Sequence, residues 1–275
     1  MGIALWESKE FTPRRIDLML KPSREWDMIL TPIPEMDGHY RREYQYEGSI
    51  HNEGYPRDDV LVSPEAAAVR AQARKRLGIM EHQTAVLYAP TWRDDLATNY
   101  RAAKMHDHLD LETASRALGS DFALLLRGHR FHRRTTRGRM RDRWIDVTDY
   151  PEINDLILAS DVGVFDYSSI RFDYVLTGRP MLFLVPDLDA YTGSARGFLF
   201  DFRSTAPGPL LGSTHEVVET LQNLNGVSRG YEEARKKFVA EYQYQADGKA
   251  AERVVGAFFG SAPDQRADFR PARRV

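Results

Sequence analysis

The chain has 275 residues, a formal net charge of −2 and no cysteine, with 42% hydrophobic residues, 28% charged residues and a mean hydropathy of −0.50. These values describe a globular protein and exclude disulfides, thiolate nucleophiles and cysteine zinc sites. They also argue against the net positive field of a nucleic-acid binder. No apolar run reaches the ~18 residues that a spanning helix needs, and MGIALWESKEF at the N-terminus lacks the basic-then-apolar pattern of a signal peptide, so the expected location is cytoplasmic. No repeat with a period of about 20–50 residues is present.

In chain order, Ile16, Leu18, Met19 and Leu20 suggest a short helix stopped by Pro22. WDMILTPIP (26–34) reads as a short buried strand, MDGHYRREYQYEG (36–48) as a helix stopped by Gly48, and Ile50 begins a second strand. Composition shifts at Ser63-Pro64. An alanine-rich helix follows, closed by Gly78. Strands and helices then alternate. TAVLYAP (84–90), FALLLRGH (122–129), Trp144–Val147, DVGVFDYSS (161–169) and RPMLFLVPD (179–187) read as strands. LDLETASRALGS (109–120), PEINDLILAS (151–160), SIRFDYVLTG (169–178), THEVVETLQNL and the segment from Tyr231 to Phe259 read as helices. Apolar strands alternating with helices predict βαβ units and a parallel sheet with helices on both faces.

In such a sheet, ligands sit beyond the carboxyl ends of the strands. Three strands end in polar loops there: YAPTWR (88–93), LRGHR (126–130) and FDYSSIRFD (165–173). Ser168 and Ser169 fall where a strand gives way to a helix, a place suited to phosphate. Asp173 lies one turn deeper, where a carboxylate can accept bonds from ribose hydroxyls. The same spacing fits a serine cap followed by a surface acid. Arg127 can grip phosphate, Gly128 permits close backbone approach, and His129 can stabilise a phosphoryl oxygen or shuttle a proton. A solvent-exposed histidine after a core strand fits equally. Pro90 and Thr91, with Trp92 and Arg93 behind them, form the first loop or merely a tight turn. None of these is a Walker or GxGxxG signature.

GYPRDDVL (54–61), LYAPTWRDD (87–95), LLLRGH (124–129), YPEINDLILASDVGVFDYSSIRFDYVLTGRPMLFLVPDLDAY (150–191) and RGFLFDF…APGPLL (196–211), in this order and spacing, resemble the CDP-glycerol glycerophosphotransferase family of teichoic-acid synthesis. The resemblance implies an α/β fold of GT-B type with a Rossmann-like parallel sheet. Residues 1–60 would be a remnant of the N-terminal domain with its linker, 61–260 the C-terminal nucleotide-binding domain, and 261–275 a disordered tail. It implies that Arg57, Pro90, Thr91, Arg127, Gly128, His129, Ser168, Ser169 and Asp173 contact CDP-glycerol, with His129 catalytic at the donor phosphates. The implied reaction is attack by a terminal glycerol hydroxyl of a lipid-linked polyol-phosphate acceptor on the β-phosphorus, releasing CMP. No metal and no cofactor are expected. The family's His-Gly-Thr-Pro motif, whose histidine is its general base, does not occur in this sequence. The chain alone is therefore expected to bind donor but to transfer little.

RGHRFHRRTTRGRMRDR (127–143) holds eight arginines, suited to an anionic polymer, to headgroups at the inner face of the membrane, or to solvent. MHDH (105–108) has a His-x-His spacing without the further ligands zinc requires. Nucleic acid is not an expected partner. A CDP-ribitol donor, a non-catalytic cytidine-nucleotide-binding fragment and a nucleotide-sugar glycosyltransferase remain alternatives.

Overall fold

The computed structural model describes residues 20–91, 108–128, 144–192, 198 and 201–260. The chain divides into two compact units. One holds Met1–Ser63, Asp189–Leu199 and Ala240–Val275, and the other holds Pro64–Leu188 and Phe200–Val239.

In the first unit, β1 (Met28–Leu30) pairs in parallel with β2 (Ser49–His51), Met28 opposite Ser49. Helix α1 (Asp37–Tyr44) lies between them in sequence. Its stop differs from expectation. Gln45, not Gly48, takes the left-handed conformation, with φ 48°. A side chain at Gly48 would instead run into the Tyr46 ring.

The second unit begins with α2 (Ala66–Leu77), closed as expected by Gly78, whose φ of 69° suits a residue without Cβ. Strand β3 (Thr84–Ala89), helix α3 (Leu111–Leu118), strands β4 (Phe122–Leu126) and β5 (Trp144–Asp146), and helix α4 (Ile153–Ala159) follow. Next come β6 (Val162–Phe165), α5 (Ile170–Tyr174), β7 (Met181–Leu184), β8 (Leu210–Leu211) and α6 (Thr214–Gln222). The six strands β3 to β8 form one sheet in the order β5-β4-β3-β6-β7-β8, with every pairing parallel. This is the doubly wound Rossmann order: the chain winds outward from β3 in one direction, then returns beside it and winds outward in the other.

Strands buried on both faces need apolar residues at successive positions, and these have them. Val86, Tyr88, Leu124, Leu126, Val162, Val164, Leu182 and Leu184 pack against Leu111, Ala114 and Leu118 of α3 and Val217, Val218 and Leu221 of α6. Their alternating neighbours Leu87, Leu125, Phe165 and Phe183, all 0% exposed, face the other side. Each such side chain contributes ~1.5–3 kcal/mol of burial. On that side, the last carbonyls of α4 are held by three arginines. Arg70 Nη1 donates to Leu158, Ala159 and Ser160 oxygens at 2.8–3.1 Å, Arg74 Nη1 to Ala159 at 3.0 Å, and Arg179 Nη1 to Leu158 and Ser160 at 2.7 and 2.6 Å. Asp161 pairs with Arg70 and Arg74 and accepts the Ala85 N–H at 2.8 Å, fixing the start of β3.

The segment expected to be one helix from Tyr231 to Phe259 is two helices, reached through α7 (Leu224–Gly230): α8 (Glu232–Tyr242) and α9 (Ala250–Phe259). Gly248, at φ 81°, lies in the break between them. Asp59 then caps α9, accepting the N–H groups of Ala250 and Ala251 at 2.9 and 2.8 Å. Arg253 of α9 donates to the Glu53 carbonyl at 2.8 Å. These bonds join the C-terminal helix to the N-terminal segment within the first unit. The expected helix at Ile16–Leu20 lies outside the described residues except for its last position, and Pro22 does not stop it, since residues 20–23 are helical.

Candidate functional site

The order of strands creates a switch point between β3 and β6, where the loops leaving the two strands diverge and open a crevice. A cleft of about 310 Å³ lies there, lined by Ala89, Pro90, Arg127, Gly128, Thr148, Ser168 and Ile170. These residues end or follow β3, β4, β5 and β6, four neighbouring strands. Three inter-strand steps of ~4.8 Å put the outer two of these strands about 14 Å apart.

Asp166 joins the first and third loops. This residue is 3% exposed, and both its carboxylate oxygens accept the Thr91 N–H at 2.9 Å. The Thr91 hydroxyl donates to the same carboxylate. Thr91 is thus turned toward Asp166 and does not line the cleft, whereas Pro90 does. The neighbouring Tyr167 donates its hydroxyl to Asp187 Oδ1 at 2.7 Å, and His108 Nε2 stands 3.2 Å from the same oxygen. The loop that presents Ser168 is therefore held on two sides.

Arg127 lines the cleft, but its Nη1 donates to the carbonyls of Val147, Thr148 and Tyr150 at 2.8, 2.7 and 2.6 Å. It braces the loop after β5. Burial pushes its pKa below the usual arginine value, opposed by Asp149 and Asp146. Gly128 donates its N–H to Thr148 Oγ1 at 2.9 Å. Ser168 lines the cleft, and its Oγ is 3.4 Å from the Ile170 N–H. Ser169 is exposed at the start of α5 and makes no side-chain capping bond. Asp173 lies in the same helix and is half-buried.

Pro90, Arg127, Gly128 and Ser168 are thus brought together. Arg57 belongs to the first unit, with its guanidinium 4.2 Å from the centre of the Tyr55 ring and its Nε 3.5 Å from Asp58 Oδ1. His129, the remaining arginines of the 127–143 stretch, Trp92, Arg93 and His106 lie outside the described residues. Among the described residues, no group of three or more metal-ligating side chains occurs. The sequence reading overlooked Asp166 and Thr148. An acid directly after an apolar strand was a signal for Asp166; Thr148 had none.

Residues 1–260 match the profile of the CDP-glycerol:poly(glycerophosphate) glycerophosphotransferase family. The chain belongs to this family. It is 32% identical over 241 residues to the teichoic acid poly(glycerol phosphate) polymerase of Bacillus subtilis strain 168, covering 87% of this chain and 32% of that relative. It is 33% identical over 242 residues to the teichoic acid glycerol-phosphate transferase of Staphylococcus aureus NCTC 8325, covering 87% and 62%. A solved structure of the wall teichoic acid polymerase TagF superposes with a TM-score of 0.79 at 28% identity, covering 92% of this chain and 62% of that one. A TagF variant soaked with CDPG gives 0.78 at 28% identity, covering 90% and 61%. These family neighbours place the chain in the GT-B type of α/β fold. The chain spans less than two thirds of the length of each of these relatives.

Proposed function

We propose that the cleft at the β3–β6 switch point binds the cytidine nucleotide of CDP-glycerol. The family's transfer of glycerol phosphate to a polyol-phosphate acceptor then takes place over this cleft. The observation that carries the reading is the convergence of Pro90, Arg127, Gly128 and Ser168 on one crevice, although they come from three separate sequence motifs. A lining drawn from the ends of four neighbouring strands suits a nucleotide lying across them better than a lone phosphate. A volume of 310 Å³ falls at the lower end of the ~300–1,000 Å³ usual for ligand clefts.

In the reaction a terminal glycerol hydroxyl oxygen forms a bond to the β-phosphorus. The bond from that phosphorus to the bridging oxygen breaks, CMP leaves with the electron pair, and the hydroxyl proton passes to a general base, the role of the histidine in the family's His-Gly-Thr-Pro motif. Catalysis of this kind rests on positioning and on stabilising charge at the transferring group. His129 is the proposed contact to the donor phosphates, with Ser168, Ser169 and Asp173 along the β6 loop and Thr91 held behind it. Residues 1–60 are proposed to be part of a first domain, Arg57 is a proposed donor contact, and 61–260 are proposed to be the nucleotide-binding domain. These 275 residues contain no His-Gly-Thr-Pro string. The proposed place of action is the cytoplasmic face of the membrane, by peripheral contact. Among the described residues no helix is long and apolar enough to cross it.

A CDP-ribitol donor is the second reading, favoured by 29% identity over 263 residues to a teichoic acid ribitol-phosphate primase of Bacillus spizizenii. Titration calorimetry with CDP-glycerol, CDP-ribitol, CMP and a UDP-sugar tests the assignment. Binding of CDP-glycerol and CMP is expected. Preference for the UDP-sugar, or binding of none of the four, would overturn it. An assay with CDP-glycerol and a lipid-linked acceptor tests the reaction, and release of CMP without glycerol phosphate appearing on the acceptor would refute it.

A further inference from the structure

The loop after β5 carries a side chain whose hydrogen-bonding capacity is only partly used within the fold. Thr148 is anchored by its own backbone: its N–H donates to Asp146 Oδ1 at 2.9 Å, and its carbonyl accepts Arg127 Nη1 at 2.7 Å. Its Oγ1 accepts the N–H of Gly128 at 2.9 Å. A hydroxyl carries one proton, and that proton cannot point at Gly128, which is itself a donor. Among the described residues no acceptor takes it. A β-branched side chain has few χ1 options, so Oγ1 stays in place while its proton is free to rotate toward the cleft. Thr148 also lines the cleft, beside Arg127 and Gly128 and across from Ser168.

We infer that Thr148 is a ligand-contacting residue, whose hydroxyl donates a hydrogen bond to an acceptor oxygen or nitrogen of the nucleotide in the cleft. This rests on the nucleotide reading above and adds a residue to it. The geometry also revises the part played by Gly128. Its N–H is spent on Thr148, so it reaches the ligand indirectly, through the chain Gly128 N–H to Thr148 Oγ1–H to ligand. Each bond in such a chain polarises the next. Arg127 is the positioning residue that sets the loop, by gathering the carbonyls of Val147, Thr148 and Tyr150.

The test uses the full chain with Thr148→Val, which keeps the shape and removes the hydroxyl, and Thr148→Ser, which keeps the hydroxyl. Affinities for CMP and cytidine are measured by calorimetry, alongside each variant's melting temperature. Thr148→Val is expected to weaken CMP binding about 10-fold and Thr148→Ser by no more than about 2-fold. Loss with CMP alone locates the acceptor on the phosphate, and loss with both ligands locates it on the nucleoside; either supports the inference. Unchanged CMP affinity in Thr148→Val, or equal loss in both variants, overturns it. Absence of CMP binding by the unmodified chain would bring down the nucleotide reading and this inference together, an outcome distinct from those two. Should Thr148→Val fold poorly, the Gly128 amide resonance of the unmodified chain decides: saturating CMP is expected to shift it, and an unmoved resonance overturns the inference.

Discussion

The backbone N–H of Thr91 donates to both carboxylate oxygens of Asp166, each at 2.9 Å, so the loop after β3 hangs from the loop after β6. Asp166→Asn replaces one acceptor oxygen with an amide that faces a donor. Stability should fall by ~1–3 kcal/mol, the cost of a buried group left without its partner. CMP affinity should fall about 10-fold as Pro90 and Ser168 lose their fixed separation. Urea denaturation and calorimetry measure the two effects, and wild-type affinity in this variant would detach Asp166 from the cleft.

Arg127 was expected to grip phosphate, but its Nη1 holds three carbonyls. The two roles predict different ligand dependence. If the guanidinium works as a brace, Arg127→Lys should weaken cytidine and CMP alike, by about 5–10-fold, because an ammonium lacks the planar fork. A loss confined to CMP would instead indicate a direct phosphate contact.

The Asp161 cluster predicts a pH dependence. Burial raises its pKa, but the Ala85 N–H and the Arg70 and Arg74 guanidinia together outweigh burial, so the net shift is downward. A depressed folded-state pKa stabilises the protein above the unfolded value of ~3.9, and that stabilisation is lost as pH falls through the folded value. Asp161→Asn should therefore cost ~2 kcal/mol near neutral pH, below the range for a fully buried pair because the side chain is 29% exposed. The gap between variant and wild type should close as the carboxylate protonates in acid. Urea melts at neutral and acidic pH measure it, and a gap that stays constant would refute the account.

Gly208 precedes β8, and a Cβ placed there would overlap the carbonyl of Met181 in β7. Gly208→Ala should destabilise the chain by ~1–3 kcal/mol, because backbone cannot give way as a flexible side chain would. Thermal denaturation checks this, and an unchanged melting temperature would contradict it.

The strands from Thr84 to Leu184 were legible because burial on both faces demands unbroken apolar runs, a pattern visible without neighbours. The break between α8 and α9 was harder to see. Helix-forming residues flank it, and it depends on Gly248 and on Asp59, 191 positions away, capping Ala250. At the site, Pro90, Gly128 and Ser168 were legible as loop residues at strand ends. The partners of Asp166 and Thr148 were not, because each acts on a backbone N–H from another loop, at Thr91 and Gly128, and sequence spacing does not show which loops meet. For the same reason Arg127 read as a phosphate ligand: its charge is visible in the sequence and the carbonyls around it are not.

The central claim is that a cytidine nucleotide lies in the cleft between the ends of β5 and β6. The most direct measurement is amide chemical-shift mapping of the isotopically labelled full chain during titration with CMP. The account predicts saturable shifts centred on Arg127, Gly128, Thr148, Ser168 and Ile170, with weaker effects from UMP. No shifts at saturating CMP, or shifts centred away from those residues, would contradict it.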